Sequence, residues 1–134
     1  MIVADVNLVA ALLLGGADAA VARQVLECDP DWAAPLLWRS EFRSVLAAYL
    51  RQRNLSLDDA WRAHELATKL LGRHEFLPAG DTVLRLVASS RCSAYDCEYL
   101  ALAQQLGVPL VTSDKQVLRS FPKVAVTPGR FVAG

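Results

Sequence analysis

Short apolar runs, too brief for helices, alternate along this chain with longer segments whose apolar residues recur every three or four positions, and that alternation restricts the fold most. The first run, Ile2-Val3-Ala4, ends in Asp5-Val6-Asn7 and reads as a buried strand delivering polar residues to its C-terminal end. A helix follows through Leu14 and is broken by Gly15-Gly16; a second helix, capped by Asp18, runs to about Glu27. After the turn Cys28-Asp29-Pro30-Asp31, Trp32-Ala33-Ala34 forms a second strand closed by Pro35. Trp38, Phe42, Val45, Leu46 and Tyr49 make one stripe of a long amphipathic helix between Leu36 and Arg53. Ser56 and Asp59 start a fourth helix that reaches Leu71 and completes a helical hairpin.

The alternation continues to the end. Glu75-Phe76-Leu77 is expected as a third strand, Asp81 to Ser90 as a fifth helix, and Ser93 as the cap of a sixth helix ending near Gly107. Val108 to Thr112 is a fourth strand, Ser113-Asp114 opens a short last helix, and Val124-Ala125-Val126 adds an edge strand before a Pro-Gly turn at 128–129. Strands separated by helices in this way pair in parallel through right-handed crossovers, with helices on both faces. The expected fold class is therefore α/β. A length of 134 residues suits a single domain spanning 1–134, and no repeat, low-complexity tract or linker interrupts it.

Several function classes fall away. No stretch approaches the roughly 20 apolar residues of a membrane span. The run Leu8 to Leu14 stops at Gly15-Gly16, and Asp5 stands where a signal peptide would carry Lys or Arg, so a cytoplasmic address without a membrane partner is expected. Cys28, Cys92 and Cys97 form no CxxC pair and are expected as small reduced core residues; His64 and His74 have no ligand spacing for zinc. Neither GxGxxG nor GxxxxGK[ST] occurs.

What remains is a scatter of acids with no obvious structural duty. Asp5 and Asp114 each follow an expected strand at the edge where open parallel sheets bind ligands; if those strands are neighbours, the two carboxylates meet. Each also suits a helix N-cap. Glu41 shares its helix flank with Leu37, Val45 and Ala48, where a carboxylate is partly shielded and needs a partner; Arg39 and Arg43, two positions away, point elsewhere. Asp96 lies in a first helical turn on the same side as Tyr99, Leu100 and Ala103, and is either a pocket residue or the reciprocal partner of Ser93 in a capping box. Glu98, rotated about 200° from Asp96, is left out of the group.

Four gathered carboxylates make chemical sense around a hard cation. Mg²⁺ or Mn²⁺ takes oxygen ligands, lowers the pKa of its bound water and offsets charge on a phosphodiester. Without metal the acids repel, and one or more should keep a proton near neutral pH. The formal net charge of zero carries no basic footprint for nucleic acid. With those four acids neutralised, however, 14 basic and 10 acidic side chains remain, a net of +4 that tolerates RNA.

The segments Ile2-Val3-Ala4-Asp5-Val6-Asn7, Ser40-Glu41-Phe42, Ser93 to Ala103 (SAYDCEYLALA) and Leu110-Val111-Thr112-Ser113-Asp114 together resemble the signature of PIN-domain ribonucleases, VapC-like toxins in particular. The likeness in order and spacing extends over essentially the whole chain. It implies a three-layer α/β/α sandwich with a central mostly parallel sheet, a Mg²⁺- or Mn²⁺-dependent endoribonuclease, and a homodimer. Carried over, the motif acids fall on Asp5, Glu41, Asp96 and Asp114, as catalytic and metal-binding positions, with Asn7 and Thr112 supporting them by hydrogen bonds. Toxins of this kind are held by a cognate antitoxin, through which the pair contacts promoter DNA. Cys97 departs from the alanine usual in similar proteins and, being small and apolar, disturbs nothing essential.

Two other readings compete. A catalytically inactive PIN-like module that binds RNA or protein would carry the acids as a remnant and take up no metal at millimolar concentration. A receiver-like phosphoacceptor domain would need an acidic pair after the first strand and an Asp after a central one, and the chain has neither.

Overall fold

The computed structural model describes all 134 residues. In chain order the elements are β1 (Ile2–Ala4), α1 (Val6–Leu14), α2 (Ala19–Cys28) and β2 (Trp32–Pro35), then the helical hairpin α3 (Trp38–Arg51) and α4 (Leu57–Leu71). They continue with β3 (Glu75–Phe76), α5 (Gly80–Ala88), α6 (Ala94–Leu106), β4 (Leu110–Val111), α7 (Lys115–Ser120), β5 (Ala125–Val126) and α8 (Pro128–Ala133). The five strands form one all-parallel sheet in the order β3-β2-β1-β4-β5, and the helices make the outer layers of an α/β/α sandwich.

Ile2, Val3 and Ala4 are all buried, as are Trp32, Ala33 and Ala34, which explains why these strands read as unbroken apolar runs: both sheet faces are covered. Helix α6 packs on β1, β2 and β4 and carries α5, while α4 packs on β2 and gathers α1 and α3. α6 is buried on most of its circumference, from Cys97 through Ala103, and is the central helix of the core. Gly107 ends it in the left-handed region at φ 65°, where a side chain would be strained.

The strand order reverses between β1 and β4. From β1 the chain proceeds to β2 and β3 on one side; β4 returns to β1's other edge and β5 follows outward. The register pairs Val3 with Leu110 and Ala4 with Val111, so Asp5 and Thr112 emerge side by side at the C-terminal edge.

The structure departs from the sequence reading in several places; Asp18 precedes α2, but its side chain makes no capping bond. Pro128-Gly129 is the start of α8 and not a turn: Thr127 caps it, accepting from the Arg130 N–H at 3.2 Å, and Pro128 occupies the first turn, where its missing N–H is harmless. α5 stops at Ala88 because the Ser89 and Ser90 hydroxyls both turn back to the Leu86 carbonyl, at 3.3 and 2.7 Å. The fourth strand is shorter than Val108 to Thr112, as only Leu110 and Val111 are in strand conformation. Cys28 is exposed at the end of α2, whereas Cys92 and Cys97 are buried thiols as expected.

One side-chain cluster locks the edge strand. Arg39 on α3 grips Glu75 on β3 with two bonds, from Nε to Oε2 at 2.6 Å and from Nη2 to Oε1 at 2.8 Å. The indole N–H of buried Trp38 donates to the same Oε2 at 2.7 Å, and the Arg39 guanidinium lies 5.3 Å above the Trp38 ring. No helix is long and apolar enough to cross a membrane.

Candidate active site

At the point of strand reversal Asp5 comes within electrostatic range of Asp96 and Asp114, and Glu41 within range of Asp5 and Asp96. Asp5 follows β1 directly and caps α1, its Oδ1 accepting from the Val6 N–H at 2.7 Å. Its Oδ2 accepts from the Thr112 hydroxyl at 2.6 Å, the contact that the β1–β4 register makes inevitable, and from Asn7 Nδ2 at 3.3 Å. Thr112 is fully buried, and its hydroxyl also accepts from the Asp114 N–H at 3.0 Å, so it ties the backbone of one acid to the carboxylate of another. Asp114 caps α7, with Oδ1 shared between the Gln116 and Val117 N–H groups at 2.9 and 3.0 Å. Asp5 and Asp114, then, both cap helices, and the charge of Asp114 is felt at Asp5.

Asp96 resolves differently. Ser93 accepts from the Asp96 N–H at 3.0 Å, but no bond returns from the Asp96 side chain, so only half of the capping box is made and the carboxylate is left over. Glu41, half-buried on α3, has no arginine partner: Arg39 is taken by Glu75, and Arg43 donates to His64 Nε2 at 3.1 Å. Instead the hydroxyl of buried Tyr99 donates to Glu41 Oε1 at 2.6 Å. None of the four acids belongs to an ion pair.

Burial, more than repulsion, sets the proton affinity of Asp5 and Glu41. It raises Asp5 above the ordinary 3.8; the Thr112 and Val6 bonds pull back, and the charges of Asp96 and Asp114 push up again. Glu41 is likewise lifted above 4.5 by burial, restrained by the Tyr99 bond, and raised further by Asp5, Asp96 and Glu98. Glu98 therefore counts in the field even though rotation separates it from Asp96; burial raises it too. The Tyr99 phenol is driven far above its usual range by burial and by its bond to Glu41, so it stays a donor.

A pH dependence follows. A carboxyl that holds its proton more tightly in the folded state stabilises the fold at low pH and loses that contribution as pH rises from its unfolded value through its folded one. For Asp5 and Glu41 that window opens near 3.8 and 4.5 and extends upward. Glu75 has the opposite sign, since its bonds to Arg39 lower it below 4.5 and its contribution vanishes as pH falls. In metal-free thermal scans, Glu41→Gln is expected to gain stability relative to the parent protein as pH is raised from 4 to 7; a constant difference would contradict the assignment.

No cationic side chain pairs with Asp5, whose partners are the Val6 N–H, the Thr112 hydroxyl and the Asn7 amide, and the Asn7 Oδ1 is a buried acceptor with no donor at all. No three acidic, histidine or cysteine side chains stand close enough to form a ready-made ligand set. The arrangement sets negative charges within reach of one another through space without packing three of them together. A separate groove of about 700 Å³ lies between α3 and α4, lined by Leu46, Leu50, Leu57, Trp61 and His64 among others, on the flank opposite Glu41.

Sequence reasoning missed Tyr99 as a member of the site, because a tyrosine on the apolar side of a helix reads as core; the signal available was its place one turn from Asp96.

Comparison with known proteins bears on this pocket and its fold. Three solved structures superpose over nearly the whole chain. A toxin–antitoxin complex from Klebsiella pneumoniae matches with TM-score 0.71 and 20% identity, covering 96% of this chain and 98% of its own. PAE2754 from Pyrobaculum aerophilum matches with TM-score 0.73 and 21% identity over 98% and 93%. FitAcB from Neisseria gonorrhoeae matches with TM-score 0.73 and 17% identity over 96% and 99%. At such identities they establish a shared fold. Among curated proteins none matches the sequence significantly. The PIN domain model matches residues 2–125, from the first strand through β5, and the chain belongs to the PIN domain family.

Proposed function

We propose that this single-domain protein is a Mg²⁺- or Mn²⁺-dependent endoribonuclease, the toxin of a toxin–antitoxin pair, with Asp5, Glu41, Asp96 and Asp114 as its acidic site and Asn7 and Thr112 as supports. The observation that carries it is four acids without any cationic partner, linked through space around Asp5 at the strand-order reversal of a PIN fold. The family is one of nucleases, which supports the reaction class. Two structural neighbours support the partner: one is a toxin–antitoxin complex and the other the FitAcB assembly. A homodimer in the cytoplasm is part of the same proposal.

Each residue has a definable task. Asp5 is oriented on both oxygens, by Val6 and Thr112, and is the acid best held to bind a cation directly. Asp114 has one oxygen occupied by capping and offers the other; Asp96 offers both, and Glu41 offers the oxygen that Tyr99 does not use. One or two of them would ligate directly and the rest through water. When bound, the metal would supply an acidified water as nucleophile and offset charge on the scissile phosphate. Asn7 Oδ1 is placed to accept from such a water.

The test is digestion of single-stranded RNA with and without Mg²⁺ or Mn²⁺. Cleavage that stops on EDTA addition and returns with excess metal is the expected result. Retained cleavage in EDTA would sink the metal reading, and absence of both cleavage and metal uptake at millimolar concentration would favour the binding-module alternative.

A further inference from the structure

The four acids differ in how they are held, and the difference singles out one bond. Asp5 and Asp114 are fixed by backbone N–H groups at helix starts, so their positions follow from the main chain. Glu41 has no such support. α3 opens at Leu37 without a side-chain cap, and no backbone donor reaches the Glu41 carboxylate. Its one hydrogen bond comes from Tyr99, 58 positions away on another helix, at 2.6 Å.

That donor is unusually well anchored. Tyr99 is 2% exposed, on the helix that packs against three strands, and its ring is surrounded by core. A buried phenol must place its hydroxyl on a partner, and this one has a carboxylate that neither Arg39 nor Arg43 neutralises. Tyr99 also stands one turn after Asp96 on α6. The bond therefore sets the Glu41 carboxylate against the same helix that supplies Asp96, and bridges the hairpin layer to the centre of the core.

We infer that Tyr99 is the positioning residue of the acidic site: its hydroxyl occupies Glu41 Oε1 and holds the carboxylate so that Oε2 is free for a divalent cation or its water. This rests on the metal-dependent reading above. Groups that orient metal ligands from behind typically change metal affinity or activity by about 10–100-fold when removed. Thr112 serves Asp5 in the same manner, one hydroxyl to one carboxylate oxygen at 2.6 Å.

The experiment is Mn²⁺ binding, followed by the electron paramagnetic resonance of free Mn²⁺, for the parent protein, Tyr99→Phe, Glu41→Gln and the double variant. Tyr99→Phe is expected to raise the Mn²⁺ Kd by about 10-fold or more. In the Glu41→Gln background the same change is expected to cost nothing further. In RNA cleavage it should raise the Mn²⁺ concentration needed for half-maximal rate more than it lowers kcat at saturating metal. A Kd for Tyr99→Phe within about twofold of the parent overturns the inference, as does an equal loss in the Glu41→Gln background, which a merely structural hydroxyl would give. If the parent binds no Mn²⁺, the metal reading itself falls and takes the inference with it. Should Tyr99→Phe fail to fold, a ring-fluorinated tyrosine at position 99 keeps the hydroxyl and strengthens it as a donor; a shifted Mn²⁺ Kd supports the assignment and an unchanged one overturns it.

Discussion

Asp5→Asn is expected to abolish RNA cleavage, by about 10³-fold or more, while making the metal-free protein more stable. On the proposed reading the loss follows from removing the best-oriented charge of a site whose metal would supply several kcal/mol of transition-state stabilisation, each 1.36 kcal/mol being about tenfold in rate. The gain follows from the same charge. Asp5 is desolvated and lies under the fields of Asp96 and Asp114, and its neutral amide escapes both. The amide oxygen still accepts from the Val6 N–H; its new NH₂ group meets the Thr112 hydroxyl, which loses its acceptor and turns to receive, and Asn7, whose unsatisfied Oδ1 becomes a partner once that side chain flips. Relief of this kind at functional sites is commonly about 0.5–2 kcal/mol. Thermal scans in EDTA should show a higher Tm for Asp5→Asn than for the parent, with the order narrowing or reversing when Mg²⁺ is added. A variant that is inactive because it is less stable in EDTA would argue that Asp5 is a cap and nothing more. Asp96→Asn should likewise eliminate cleavage, and because its carboxylate makes no hydrogen bond its stability cost should be small.

The second large effect is structural. Glu75→Ala removes the shared acceptor of the Arg39 guanidinium and the Trp38 indole, leaving one charge half-free and one buried N–H with no partner. An orphaned buried donor costs about 1–3 kcal/mol, and breaking a well-buried ion pair about 3–5 kcal/mol. Arg39 keeps a third of its side chain in solvent, which discounts the second figure, so a total of about 2–3 kcal/mol is expected. For a domain of this size that lowers Tm by about 10 °C, measurable by calorimetry. Glu75→Gln retains acceptor capacity for the indole and should lose less. Equal Tm values for Glu75→Ala and the parent would mean the cluster is ornament on an edge strand that the sheet ladder already secures.

Much of the fold could be read from periodicity, because buried parallel strands and amphipathic helices leave opposite signatures. Ile2-Val3-Ala4 and Leu110-Val111 are apolar without alternation, and each is followed by a residue that starts a helix. The motif resemblance then supplied what spacing could not, the pairing of residues more than a hundred positions apart. Harder to see were contacts whose partners belong to different elements. Arg39 is weighed in the sequence only against Glu41, yet its partner lies on β3; Tyr99 is read there only as a neighbour of Asp96 on one helix side, while its hydroxyl reaches Glu41 on another helix. Glu98 shows the limit of rotation as an argument, since charge acts across distances at which side chains do not touch. Pro128-Gly129 misled because the pair is at home both in turns and at a helix start, and the deciding residue was Thr127.

The pairing of β1 with β4 has a bearing on the order of synthesis. Ribosomes release Asp5 first and Asp114 more than a hundred residues later, and no local contact can substitute for the register that sets Asp5 beside Thr112. A growing chain can build its first two strands and its helical hairpin and still lack a pocket. Until β4 docks on β1 the acids stay apart, so on the proposed reading a nascent chain would be inactive and any restraint on the finished protein would need to act only afterwards.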